Sequence, residues 1–153
     1  MLKKIWWCAA LLLAPIVLVA TVAKAQNHGT VKTAWLTNVG SEVLTSRAKI
    51  KEAVKLAKKA GLTNLCVVTW NNGYTLYKSP TLQQYFGVAI DPVYGNRDPL
   101  QEMIEEAHKA NLKVIAWFEF GFSSSYGEGG KHILQKYPHW AARDREGKVL
   151  VEN

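Results

Sequence analysis

Cysteine is nearly absent from this chain: among 153 residues there are two, Cys8 and Cys66. Cys8 falls in an N-terminal apolar run, so no internal disulfide is expected after that run, and Cys66, inside a β-branched stretch, reads as a small core residue. Histidine is scarce as well. His28, His108, His132 and His139 stand at no zinc-like spacing, and no metal centre is expected from them. A phosphate-binding glycine loop, a nucleophile elbow and a dinucleotide fingerprint are all missing, which leaves no cofactor to expect. Acidic residues are outnumbered, 12 against 19 basic ones.

Part of that basic excess belongs to the N-terminus. Lys3 and Lys4 precede an apolar run over residues 5–22, and Ala23-Lys24-Ala25 has the small-x-small pattern of a signal peptidase site. The pattern predicts a signal peptide over residues 1–25, cleaved after Ala25, and a secreted or periplasmic product with no stable membrane insertion afterwards. The competing reading is an uncleaved anchor, against which Pro15 interrupts the run. Losing Lys3, Lys4 and Lys24 lowers the formal +7 by three, to +4. The remaining lysines and arginines read as dispersed over helix faces, which argues against a nucleic-acid partner and leaves only loose attraction to an anionic envelope.

After a flexible mature N-terminus over residues 26–31, strand and helix signals alternate. Residues 32–38 read as a strand. Ser46 is a candidate N-cap for a helix whose buried stripe is Ile50, Ala53, Val54, Ala57 and Ala60, and Gly61 supplies a left-handed stop. Residues 63–70 are a second strand, and Asn71-Asn72-Gly73 a turn. The stretch 74–97 has no sustained period and exceeds an ordinary connection, so it is expected to be a functional loop or to carry short local structure.

Asp98 and Pro99 then open a second helix. Leu100, Met103, Ile104 and Ala107 give its apolar face, Glu102, Glu105, Glu106 and Lys109 its polar one, and Asn111 its stop. Residues 112–118, apolar on both faces apart from Lys113, read as a parallel strand covered on both sides. Glu119 stands at its end. Residues 120–130 are rich in Gly and Ser, residues 131–137 suggest a short helix halted by Pro138, and residues 144–148 form a turn before an extended 149–151.

The two helix-to-strand units repeat at about 50 residues, Gly61 corresponding to Asn111. Such alternation predicts an α/β fold of parallel βα repeats, and right-handed crossovers place all strand C-termini on one rim. Asn38, Trp70, Asn71, Asn72 and Glu119 would share that rim. A (β/α)8 TIM barrel takes about 250 residues, so residues 32–153 read as the truncated N-terminal part of one. Its unpaired strand edges predict self-association.

The runs LTNVGSEVL, VVTWNNGYTLYKSP, DPLQEMIEEAHKANLKVIAWFEFGF and YPHWAARDREGK resemble the N-terminal half of the family 10-like glycosyl hydrolases, bacterial barrels related to amylase-type enzymes. The resemblance covers nearly all of residues 32–148. It implies a (β/α)8 barrel, secretion, and a polysaccharide of the envelope or extracellular space as substrate. It also implies a further strand with an Asp-rich motif beyond Trp140–Lys148, which this chain does not carry, so no catalytic carboxylate is transferred from the family.

Read from the residues themselves, Glu119 is the candidate catalytic carboxylate, since the C-terminal ends of buried parallel strands gather ligands and chemistry. Glycoside hydrolysis usually needs a second carboxyl group, and none stands at another strand end. Asn38, Trp70, Asn71, Asn72, Tyr74, Tyr77, Phe120 and Phe122 are the candidate sugar contacts, because flat rings and amides match the mixed polarity of a sugar. For Trp70 and Tyr74 core packing is an equal alternative; Trp35, Trp117 and Trp140 are expected to pack. The reading is therefore a secreted glycoside hydrolase present as an N-terminal fragment inactive alone, the alternatives being a non-catalytic carbohydrate-binding module or a truncated non-functional product.

Overall fold

The computed structural model describes residues 30–119 and 131–150. The signal segment over residues 1–25, residues 26–29, the candidate contacts Phe120 and Phe122, and the last part of the extended 149–151 piece lie outside the described residues.

The elements run β1 (Thr33–Leu36), α1 (Arg47–Lys59), β2 (Asn64–Asn71), β3 (Tyr74–Thr75), α2 (Pro80–Phe86), α3 (Pro99–Lys109), β4 (Lys113–Phe118) and α4 (Lys131–Lys136), with short 3-10 turns at Val43–Thr45, Pro92–Tyr94 and Pro138–Trp140. Strands β1 and β4 both pair parallel with β2, and β3 pairs with it antiparallel. Parallel strands alternating with helices are the βα repeats of a partial TIM-barrel-like sheet.

The helix boundaries follow from local chemistry. The Ser46 hydroxyl accepts from the Lys49 N–H at 3.2 Å and the Asp98 carboxylate from the Gln101 N–H at 2.9 Å, each satisfying one orphan donor. Both helices end alike. Gly61 (φ 72) and Asn111 (φ 54) adopt the left-handed conformation. Leu62 N–H bonds back to Ala57 O at 3.1 Å and Leu112 N–H to Ala107 O at 2.9 Å, while Gly61 and Asn111 bond to Lys58 O and His108 O. These are two Schellman motifs, and each turns its chain directly into a strand.

Core formation is uneven across the sheet. The row Ala34, Leu65 and Val114, aligned by register, joins Ile50, Val54 and Ala57 of α1 and Met103 and Ala107 of α3 in one cluster. β2 is buried from Asn64 to Thr69. Strand β4 departs from the expected two-sided cover: Lys113, Ile115, Ala116 and Phe118 are exposed. Among the described residues β4 pairs only with β2, and a strand with one neighbour has one open edge. Trp35 and Trp140 also depart from expected packing, at 62% and 57% exposed, whereas Trp117 packs against the core.

Glu106 is a further correction. Its charge predicts a place on the polar face of α3, yet it is buried, because it follows Met103 by three positions and falls on the stripe that meets α1. There Arg47 donates to it through Nε at 3.0 Å and Nη2 at 2.7 Å, and Lys109 donates at 3.1 Å. Hydrogen bonds from Arg47 and then Lys109 hold the Glu106 carboxyl below its usual range, and those from Gln101 and then Arg47 do the same for Glu105. A carboxyl with a lowered folded pKa adds stability that is fully present above the unfolded value of about 4.3 and is lost as pH falls through the folded value. The melting temperature is therefore expected to drop on acidification below about pH 4.3, and Glu106→Gln to flatten that part of a pH series of thermal melts.

Five of the lysines expected to be dispersed are gathered instead. Lys51, Lys55, Lys58 and Lys59 of α1 and Lys109 of α3 line one cleft, because i, i+4 and i+7 positions share one face of a helix.

Candidate functional site

The C-terminal ends of β1, β2 and β4 meet as the strand order requires. Beyond β1, Thr37 and Asn38 begin the loop; Asn71 ends β2; Glu119 follows β4, its N–H bonded to Trp70 O at 3.2 Å. Just before this point the β2/β4 register shifts between Val68 and Trp70, a β-bulge that bends a strand and re-aims its side chains. Thr69 at the bulge donates its hydroxyl to Trp117 O at 3.1 Å.

Glu119 is 9% exposed and Asn71 2%. The Thr37 hydroxyl lies 3.2 and 3.0 Å from the two Glu119 oxygens, and Asn71 Nδ2 donates to Glu119 Oε2 at 3.2 Å. Asn71 Nδ2 also donates to Asn38 Oδ1 at 2.9 Å, and Thr37 Oγ1 accepts from the Val39 N–H at 3.0 Å. Tyr94 is hydrogen-bonded to Asn38; burial, then the charge of Asp91, pushes its phenol above the ordinary range, against smaller opposing effects of Asn38 and Arg97. In the side-chain hydrogen bonds among the described residues the Glu119 carboxyl oxygens act as acceptors. These donors come from the ends of the neighbouring strands β1 and β2.

Three of the expected rim residues, Asn38, Asn71 and Glu119, are thus in one hydrogen-bonded cluster. Trp70 is half-buried at the end of β2. Asn72 takes φ 55 and Gly73 φ 78, the two left-handed positions of a type I′ turn joining β2 to β3, so the backbone of Asn72 has a structural task. Tyr74 is half-buried and stacked on His132, centroids 4.3 Å apart. His132 also meets the edge of Phe86 at 5.6 Å. Tyr77 is half-buried, its carbonyl accepting from the Thr75 hydroxyl at 2.8 Å.

Two members of the cluster carry no sequence signal of their own. Thr37 is an ordinary strand-end threonine. Tyr94 sits within the 74–97 stretch, which carries β3, α2 and a 3-10 turn capped by Asp91, whose carboxylate accepts from the Val93 N–H at 3.1 Å. Bonds from Asp91 N to Thr75 O and from Leu100 N to Leu76 O fasten this stretch to the hairpin and to α3. The Asn72-Gly73 pair is the legible clue, since that dipeptide favours hairpins and so returns the chain to the rim. Among the described residues no group of three or more His, Cys, Asp or Glu side chains is gathered as metal ligands.

The profile of the family described as glycosyl hydrolase-like 10 matches residues 30–152. "Glycosyl hydrolase YngK" of Bacillus subtilis (strain 168) is 28% identical, the match covering 83% of this chain and 28% of that protein. The crystal structure of a hypothetical protein from Ruminiclostridium thermocellum ATCC 27405 shares the fold with a TM-score of 0.53 at 20% identity, over 78% of this chain and 56% of the other. The chain therefore spans about a quarter of the length of the curated relative it matches and about half of the solved one.

Proposed function

The chain belongs to the glycosyl hydrolase-like 10 family, and on that premise we propose that it forms part of the substrate rim of a secreted hydrolase of O-glycosidic bonds, acting on an envelope or extracellular polysaccharide. The observation that carries this reading is the convergence of Thr37, Asn71 and Glu119 from three strand ends. Donors on both oxygens hold the carboxylate in one orientation, which a group needs if it is to meet a sugar hydroxyl or glycosidic oxygen at fixed distance. Trp70, half-buried at the same rim, offers a flat face for a sugar ring. Secretion rests on the pattern of residues 1–25.

Glycoside hydrolysis usually employs two carboxyl groups. Among the described residues the side chains bonded to Glu119 are Thr37 and Asn71, neither of them a carboxylate. We infer that this segment binds sugar without cleaving it. The same observation favours a second reading, a non-catalytic carbohydrate-binding module in which Glu119 acts only as an oriented acceptor.

The test is titration of neutral oligosaccharides, followed by tryptophan fluorescence and reducing-end release. Binding without release is expected, and Asn71→Ala should weaken it about tenfold by leaving Glu119 short of a donor. Release of reducing ends, abolished by Glu119→Gln, would place hydrolysis within this segment and overturn the one-carboxylate reading. Failure to bind any neutral glycan would sink the rim proposal.

A further inference from the structure

The lysine-lined cleft between α1 and α3 measures about 580 Å³. Each of these helices leads from the rim back to the start of the next strand, so their last turns, which carry Lys58, Lys59 and Lys109, sit at the end of the sheet opposite Glu119. The carboxylate in its wall is Glu106, already bonded by Arg47 and Lys109. Lys55, Lys58 and Lys59 form no ion pair among the described residues, and Glu52 is the one acid of α1.

Part of this charge has a local explanation. Lys58 and Lys59 stand in the last turn, where cations complement the helix dipole. Lys51 and Lys55 stand further from the helix end, where the dipole no longer rewards them, and the i, i+4 pairs Lys51/Lys55 and Lys55/Lys59 repel along the helix. A cationic cleft concentrates field lines more than a convex surface does. Its floor includes Val54 and Ala110, and lysine stems add apolar surface beneath the charged heads.

We propose that this cleft binds an acidic polysaccharide, a linear sugar chain bearing carboxylate or sulfate groups, at a site separate from the Glu119 rim. Ammonium groups pair with the anions while Val54, Ala110 and the lysine stems lie against the apolar faces of the rings. The lining holds no aromatic side chain to enter a lipid interface, which favours a polymer strand over a bilayer. The choice of a sugar polymer rests on the hydrolase reading; the need for negative charge does not.

The test uses the full chain with polygalacturonate, neutral dextran and phosphatidylglycerol vesicles as probes, at low and high salt. Polygalacturonate is expected to bind with an affinity that falls steeply with salt, and dextran to show no such salt-dependent binding. Lys55→Gln, Lys58→Gln and Lys59→Gln together should raise the Kd for polygalacturonate at least about tenfold, because charge pairs across an interface contribute directly to affinity. Lys32→Gln, Lys78→Gln and Lys148→Gln, exposed positions elsewhere, change net charge equally and should leave it near the parent value. Equal weakening by both triple variants would reduce the effect to net charge and overturn the site. So would absence of polygalacturonate binding, or tighter binding of the vesicles. Glu119→Gln separates the two proposals: it should leave polygalacturonate capture unchanged, so failure of the rim reading does not imitate failure of this one.

Discussion

Replacing Met103 with alanine is expected to lower the free energy of unfolding by about 2–5 kcal/mol, the range for removing a long buried side chain from a packed core. Met103 is 0% exposed and sits in the cluster formed by α1, α3 and the strand row beneath them. The loss has two parts, the transfer free energy of the missing atoms and the cavity left where neighbours cannot collapse. Here Ile50, Val54, Val67 and Ala107 belong to the same cluster, and close-packed neighbours on several elements resist collapse. Since a domain has roughly 5–15 kcal/mol in total, the variant should show a large drop in urea midpoint. Leu56→Ala, on the exposed face of α1, is the control and should stay within about 0.5 kcal/mol. Equal shifts in both variants would show that the α1/α3 seam is not where stability resides.

Self-association of the chain is the second large expected effect. Trp35 and Ile115, 62% and 43% exposed, flank Cys66 in one register row across the sheet, and β4 has an open edge among the described residues. An apolar sheet face beside an unpaired edge is a template for another copy. Sedimentation velocity over a concentration series should therefore detect species larger than a monomer. Trp35→Lys with Ile115→Lys should restore the monomer, because a buried aromatic anchor in an interface commonly contributes about 2 kcal/mol or more, roughly thirtyfold in Kd. A parent chain that remains monodisperse and melts cooperatively at high concentration would show that this face does not drive association.

The readable and unreadable parts of the molecule divide by sequence separation. Caps at Ser46 and Asp98, left-handed stops at Gly61 and Asn111, and most of the buried stripe of each helix were legible because each depends on groups within one or two turns; Ala60, expected in the stripe of α1, is exposed because it is the residue that caps the helix end. Glu119 was legible as a strand-end carboxylate for the same reason. Its partners were not: Thr37 lies 82 positions away and Asn71 48, and neither residue type marks itself. Glu106 shows the limit from the other side. Its charge placed it outward, and only the approach of Arg47 from α1 accounts for a carboxylate in the seam.

By itself the sequence determined the three parallel strands and the two helices between them, the repeat that makes those strands parallel, and the position of Glu119 at a strand end, because backbone capping and side-chain period are local properties. The tertiary structure decided which side chains surround that carboxylate, that β4 is bare where cover was expected, and that lysines judged dispersed line one cleft. Those outcomes depend on register and on the packing of α1 against α3, and the energy of such contacts between distant segments exists only once the chain has brought them together.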